Sequence, residues 1–116
     1  MKTHTNRSVS SNAHKQINHY REMAQGIHQS VIQVMLVDDH ELMRQGLRAI
    51  LSLEDDIRVI DEVGSGRDLL SHLDAGIQPD VILMDIQMPG MSGLEATRLV
   101  ALKYPNIKIV ALTGAL

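Results

Sequence analysis

The chain has 116 residues, of which 44% are hydrophobic and 22% are charged, and this size suits one globular domain with an ordinary core. Cysteine, phenylalanine and tryptophan are absent, which excludes disulfides, thiolate metal sites, cysteine catalysis and aromatic stacking on single-stranded nucleic acid. The formal net charge is -3, and the first thirty residues carry four basic side chains against one acidic one, so the rest of the chain is acidic. An acidic body is not expected to bind nucleic acid directly.

No apolar stretch approaches the length of a membrane span, and the polar N terminus has no signal-peptide core. We therefore expect no membrane association and a cytoplasmic location.

The N-terminal part of the chain has two predicted segments. Residues 1–11 are polar and lack periodicity, which predicts a disordered tail. Residues 12–30 are predicted to form a helical extension, with Asn12 at its start and Gly26 at the end of the helix. The prediction depends on apolar residues three and four positions apart, namely Ile17, Tyr20, Ala24, Ile27 and Val31.

From residue 31 onward, strand patterns alternate with helix patterns. Four apolar runs are predicted as strands: VIQVMLV, IRVIDEV, DVILMD and IKIVALT. The first intervening helix carries Leu42, Met43, Leu47, Ile50 and Leu51, and the third carries Leu94, Leu99, Val100 and Leu102. Short connections and nearly continuous apolar strands predict an α/β fold with a parallel sheet covered by helices on both faces.

Local signals mark the ends of the second and third helices. Ser65 with Asp68, and Ser92 with Glu95, have the spacing of a capping box at a helix start. Gly76 is expected to end the second helix, and the third is expected to end before Pro105.

Polar residues follow three of the predicted strands. Asp38 and Asp39 follow the first strand, Asp85 ends the third and Thr113 follows the fourth. Ligands of open parallel sheets bind beyond the carboxyl ends of the strands, so we expect the three carboxylates to converge. Two like charges about 4 Å apart repel by roughly 4 kcal/mol at an effective dielectric near 20, which favours a neutralising cation. Oxygen ligands alone favour Mg²⁺, beside which an aspartate can be a nucleophile towards phosphorus.

Two of the three carboxylates also have a purely structural interpretation when each is considered alone. Asp39 could cap the helix that begins near Glu41, and Asp85 could be a turn residue before Pro89 and Gly90. All three together are less easily structural, because capping needs one carboxylate and no cation.

Two stretches, VMLVDDHELMRQGLRAIL and PDVILMDIQMPGMSGLEA, resemble the receiver domain of two-component response regulators. The resemblance covers roughly residues 33–114 and is strongest to the subfamily that usually carries a C-terminal helix-turn-helix. It implies a flavodoxin-like, doubly wound parallel sheet with strand order beginning 2-1-3-4, in which the first and third strands are neighbours.

The resemblance also implies roles for individual residues. Asp85 would accept a phosphoryl group from a sensor histidine kinase. Mg²⁺ would be held by Asp38, Asp39, Asp85 and the backbone carbonyl of Gln87. Thr113 would bond to the phosphoryl oxygen as the switch hydroxyl, with the backbone N–H of Gly114 adjacent.

The sequence departs from the family after Thr113, where only three residues follow. Residues 31–116 are therefore expected to form an incomplete receiver, truncated after its fourth strand, without the lysine that the family places after its fifth strand. Impaired signalling is expected to follow. The fourth strand would be an exposed apolar edge, so a homodimer through this strand or through the N-terminal helix is a further expectation.

Three functional interpretations stay open at this point. The first is a receiver that accepts a phosphoryl group and is not an enzyme. The second is a non-phosphorylated interaction or dimerisation module with a vestigial acidic site. The third is a phosphatase-type hydrolase, but those enzymes need a second acid two residues after the nucleophile, and position 87 is Gln.

Overall fold

The computed structural model of the chain describes residues 12–18, 20 and 30–112. The chain divides into two compact units, residues 1–31 and residues 32–116.

In the first unit, residues 12–18 and 20 are helical, in agreement with the apolar spacing. The predicted tail over residues 1–11 and the predicted helix end at Gly26 lie outside the described residues. The division of the chain into a tail, a helical extension and a receiver therefore stays a prediction, as does a dimer through the N-terminal helix.

The second unit alternates strands and helices in the predicted order. Its elements are β1 (Ile32–Val37), α1 (Glu41–Leu51), β2 (Ile57–Val63), α2 (Gly66–Asp74), β3 (Val81–Asp85), α3 (Gly93–Lys103) and β4 (Lys108–Leu112). None of the described helices is long and apolar enough to cross a membrane.

The four strands form one parallel sheet in the order β2-β1-β3-β4, which confirms the predicted topology. Because β1 and β3 are neighbours, their carboxyl ends lie side by side. Val37, the last residue of β1, pairs with Met84, the residue before the end of β3. This register brings the residue after Val37 next to the residue after Met84.

The sheet and two of its helices enclose an aliphatic core, as the absence of Phe and Trp requires. The strands contribute most of the buried side chains, and α2 and α3 add two residues each. The principal members are Met35, Val37, Ile82 and Met84 from the strands, Leu69 and Leu73 from α2, and Ala96 and Val100 from α3.

The starts of α2 and α3 follow the predicted capping pattern. The Ser65 hydroxyl accepts a hydrogen bond from the backbone N–H of Asp68, and the Ser92 hydroxyl accepts one from Glu95, both at 3.1 Å. At the end of α2, Gly76 takes a φ of 108°, a left-handed conformation that glycine adopts without a steric penalty. Each seryl cap satisfies one of the N–H groups left free at a helix start.

Of the four apolar residues that the sequence analysis named on α3, Val100 is the one that is buried. Gly93, Ala96 and Val100 face the core, whereas the three predicted leucines are exposed, namely Leu94, Leu99 and Leu102. At its start, α3 packs closely against the chain at the end of β3. A Cβ built on Gly93 would lie only 2.3 Å from the Cα of Ile86, which leaves no room for a larger side chain.

The apolar stripe of α1 is helical as predicted but lies largely at the surface, with Leu42, Met43 and Ile50 exposed. Leu47 and Leu51 of the same stripe are half-buried, and both Arg44 and Arg48 pair with Glu62 on β2. The link between α1 and the sheet is therefore partly electrostatic.

Within the described residues, β4 lies at one edge of the sheet, where it pairs with β3 alone. Val110 on this strand is exposed. The predicted pairing of a second copy along β4 stays a prediction.

Candidate functional site

The carboxylates that follow β1 and β3 come together at the carboxyl ends of the strands. One ligand atom from each of Asp38, Asp39, His40 and Asp85 lies within 4.8 Å of the other three. The register of β1 against β3 accounts for this arrangement, because it places Asp38 beside Asp85. The convergence expected from the sequence is therefore present.

Asp38 is the most firmly held member of the cluster and is only 5% exposed. Its backbone N–H donates to the carbonyl oxygen of Val63 at the end of β2, at 3.1 Å. Its carboxylate accepts a hydrogen bond from the backbone N–H of His40 at 2.8 Å. A buried charge is tolerated only where it is paired or hydrogen-bonded, and these contacts meet part of that requirement.

Asp39 is more exposed than Asp38, and the interpretation of Asp39 as the cap of α1 was wrong. The N-cap position of α1 is occupied by His40, and no side chain caps that first turn. Because the helix begins at Glu41, Asp39 lies one residue too early to act as its cap. Its side chain is 27% exposed and keeps its carboxylate in the cluster.

Asp85 combines a turn contact with a position in the cluster. Its Oδ1 accepts a hydrogen bond from the backbone N–H of Gln87 at 2.9 Å, so the turn interpretation is correct as far as it goes. In the part of the chain that the structure describes, no hydrogen bond reaches Oδ2. Asp85 is half-buried, and one carboxylate oxygen therefore remains for chemistry.

His40 is a cluster member that the sequence reasoning missed. Its Nδ1 lies 3.0 Å from Oδ1 of Asp38 and 3.2 Å from Oδ1 of Asp39. The signal was its place directly after the two aspartates, before the helix. The pKa of His40 is raised above the ordinary histidine value, chiefly by the hydrogen bond to Asp38 and then by the charges of Asp39 and Asp38.

We predict that His40 titrates above the ordinary histidine range in Mg²⁺-free buffer, as followed by the NMR shifts of its imidazole. Because the folded-state pKa is raised, this contact stabilises the fold below the ordinary pKa, and the stabilisation is lost as the pH rises through the raised value. Asp38→Asn should move the pKa back towards its usual range. An unshifted His40 in the wild-type protein would contradict the geometry described for the cluster.

The remaining predicted site residues are only partly described. Gln87 is exposed and uses its N–H to bond Asp85, and the role of its carbonyl group stays a prediction. Thr113 and Gly114 lie outside the described residues.

The sequence of the chain matches the model of one known protein family. The model of the response regulator receiver domain matches residues 34–116, which is most of the chain. The chain belongs to the response regulator receiver family. The receiver domain of this chain accordingly has the α/β fold and strand order described above, and it is a domain of two-component signalling systems.

Relatives of this receiver domain are response regulators of greater length. Over 83 residues it is 43% identical to the response regulator GacA of Pseudomonas viridiflava and 47% identical to the response regulator UvrY of Escherichia coli O6:H1. In both cases the match covers 72% of this chain and 38% of the relative. The chain thus spans well under half the length of these relatives.

Two solved structures show the same fold as this receiver domain. The signal receiver domain of the proposed response regulator NarL from Mycobacterium tuberculosis has a TM-score of 0.65 and 31% identity, covering 75% of this chain and 69% of that one. RcsB from Salmonella enterica serovar Typhimurium has a TM-score of 0.66 and 25% identity, covering 71% of this chain and 42% of that one. That structure is of RcsB bound to a promoter in the presence of the phosphomimetic BeF3⁻.

Proposed function

We propose that the receiver domain accepts a phosphoryl group on Asp85 from a sensor histidine kinase, at a site that also holds Mg²⁺. The observation that carries this proposal is the convergence of Asp38, Asp39 and Asp85, whose ligand atoms lie within 4.8 Å of one another. The family of the chain and the phosphomimetic used with RcsB support it.

The donor set of the cluster fits a hard divalent cation. Carboxylate oxygens converge from two neighbouring strands, and one of them belongs to the buried Asp38. Asp38, Asp39 and Asp85 would be the side-chain ligands, with the carbonyl of Gln87 as the proposed backbone ligand. When bound, Mg²⁺ would neutralise the carboxylates and the charge of the incoming phosphoryl oxygens.

His40 contacts two of the carboxylates that would bind the cation. Its Nδ1 bridges Asp38 and Asp39, so the cation would replace an existing contact of both carboxylates. The imidazole is mostly exposed and can turn towards solvent without disturbing the core.

The contacts of the Asp85 carboxylate support its role as phosphoryl acceptor. The hydrogen bond from Gln87 fixes Oδ1, and this leaves Oδ2 to attack phosphorus. A P–O bond forms to Asp85 as the P–N bond of the kinase phosphohistidine breaks, and the imidazole nitrogen leaves with the electron pair and takes up a proton. Thr113 and the Gly114 N–H are the proposed donors to the phosphoryl oxygens.

Incubation with a small acyl-phosphate donor tests this proposal without the kinase. In the presence of Mg²⁺, intact mass spectrometry should show the gain of one phosphoryl group, and chelation of Mg²⁺ by EDTA should prevent the gain. A folded protein that gains no phosphoryl group at saturating Mg²⁺ and donor would contradict the proposal. That result would favour the non-phosphorylated interaction module.

A further inference from the structure

Arg44 lies outside the acidic cluster but contacts the main chain of Asp38, which is a member of the cluster. Arg44 lies on α1, and its side chain is 20% exposed. Its Nη1 donates a hydrogen bond to the main-chain carbonyl oxygen of Asp38. Its Nε lies 3.4 Å from Oε1 of Glu62 on β2, so the guanidinium links α1, β2 and the end of β1.

The bond from Arg44 is one of three hydrogen bonds that hold Asp38 in place. The N–H of Asp38 is bonded to Val63, its carboxylate to the N–H of His40 and its carbonyl oxygen to Arg44. A buried carbonyl that loses its donor costs free energy and tends to move towards another partner. Loss of the Arg44 contact would therefore loosen the turn that carries both Asp38 and Asp39.

We infer that Arg44, held by Glu62, is a positioning residue for the cation site. Arg44 acts through the main chain of Asp38 and does not contact the cation. This inference rests on the proposed Mg²⁺ site. Groups that orient the first ligands of a metal commonly contribute about tenfold to a hundredfold in metal affinity.

If only its charge mattered, removal of Arg44 would strengthen cation binding, whereas removal of a positioning contact would weaken it. The direction of the change in cation affinity therefore tests the inference. Arg48 is the matched control. It lies on the same helix, carries the same charge and also pairs with Glu62, but the hydrogen bond to the Asp38 carbonyl comes from Arg44.

The experiment measures Mn²⁺ affinity by electron paramagnetic resonance of the free ion, with Mg²⁺ as competitor, in the full chain. Arg44→Gln should weaken Mn²⁺ binding about tenfold, while Arg48→Gln should leave it within about twofold of wild type. Circular dichroism melting checks that each variant is folded. If Arg44→Gln does not fold, Arg44→Met replaces it, because methionine keeps an unbranched apolar stem but has no donor for the Asp38 carbonyl, and weaker binding than in Arg48→Gln is again expected.

The outcomes separate this inference from the proposed function. If the wild-type protein binds no Mn²⁺, the proposed cation site is wrong. If the wild-type protein binds Mn²⁺ and the Arg44 variant binds it as tightly as Arg48→Gln, or more tightly, the cation site stands and the positioning role of Arg44 is overturned.

Discussion

Asp85→Asn is expected to abolish phosphorylation by a small phosphodonor, as measured by intact mass after incubation with Mg²⁺. The amide has no anionic oxygen to attack phosphorus, although it can still accept the hydrogen bond from Gln87 and keep the turn. The fold should therefore survive while the mass gain disappears.

Asp80→Asn is the matched control for this variant. Asp80 directly precedes β3 and Asp85 ends it, and the Asp80 carboxylate accepts a hydrogen bond from the N–H of Gln33 at 2.7 Å. An asparagine at position 80 can accept the same bond, so phosphorylation should proceed as in the wild-type protein. Equal mass gain in both variants would show that the acceptor is another residue.

Gly93→Ala is expected to have the largest effect on stability. The added Cβ would lie 2.3 Å from the Cα of Ile86 and 2.6 Å from the carbonyl oxygen of Asp85, and neither backbone atom can move without shifting the loop after β3. Overpacking of this kind costs about 3 kcal/mol. Urea unfolding should report this loss, and phosphorylation should fall because the displaced loop follows directly on Asp85 and carries Gln87, which bonds the Asp85 carboxylate.

Gly46→Ala is the control for the loss of a glycine. Gly46 lies within α1, and a Cβ built there would meet no atom within 4 Å. Alanine in a helix interior should stabilise the protein by about 1 kcal/mol relative to glycine. Destabilisation of both variants by similar amounts would mean that the close approach at Gly93 has no special cost.

The order of the elements was predictable because it depends on local sequence pattern. Continuous apolar runs predict buried parallel strands, and seryl caps mark the helix starts at Ser65 and Ser92. The convergence of Asp38 with Asp85 follows from strand ends in a parallel sheet, once the two strands are neighbours. That neighbour relation came from the family resemblance, since strand order depends on contacts between distant parts of the chain.

The faces of α1 and α3 were harder to predict, because periodicity identifies an apolar stripe but not what covers it. On α3 the small residues Gly93 and Ala96 lie against the core, and their size carries little signal in an apolar count. The contacts of His40 and Arg44 were missed for a related reason. Each depends on where a polar side chain turns after the backbone is placed, which no spacing rule specifies.

The position of the phosphoryl group on the wild-type chain tests most directly whether Asp85 is the acceptor. After incubation with donor and Mg²⁺, borohydride reduction converts an aspartyl phosphate to the alcohol and marks that residue for peptide mass spectrometry. The mark is expected on Asp85 and on no other aspartate. A mark on a different residue, or none on a folded protein with Mg²⁺ present, would contradict the claim that the carboxylates at the ends of β1 and β3 form a phosphoryl acceptor site.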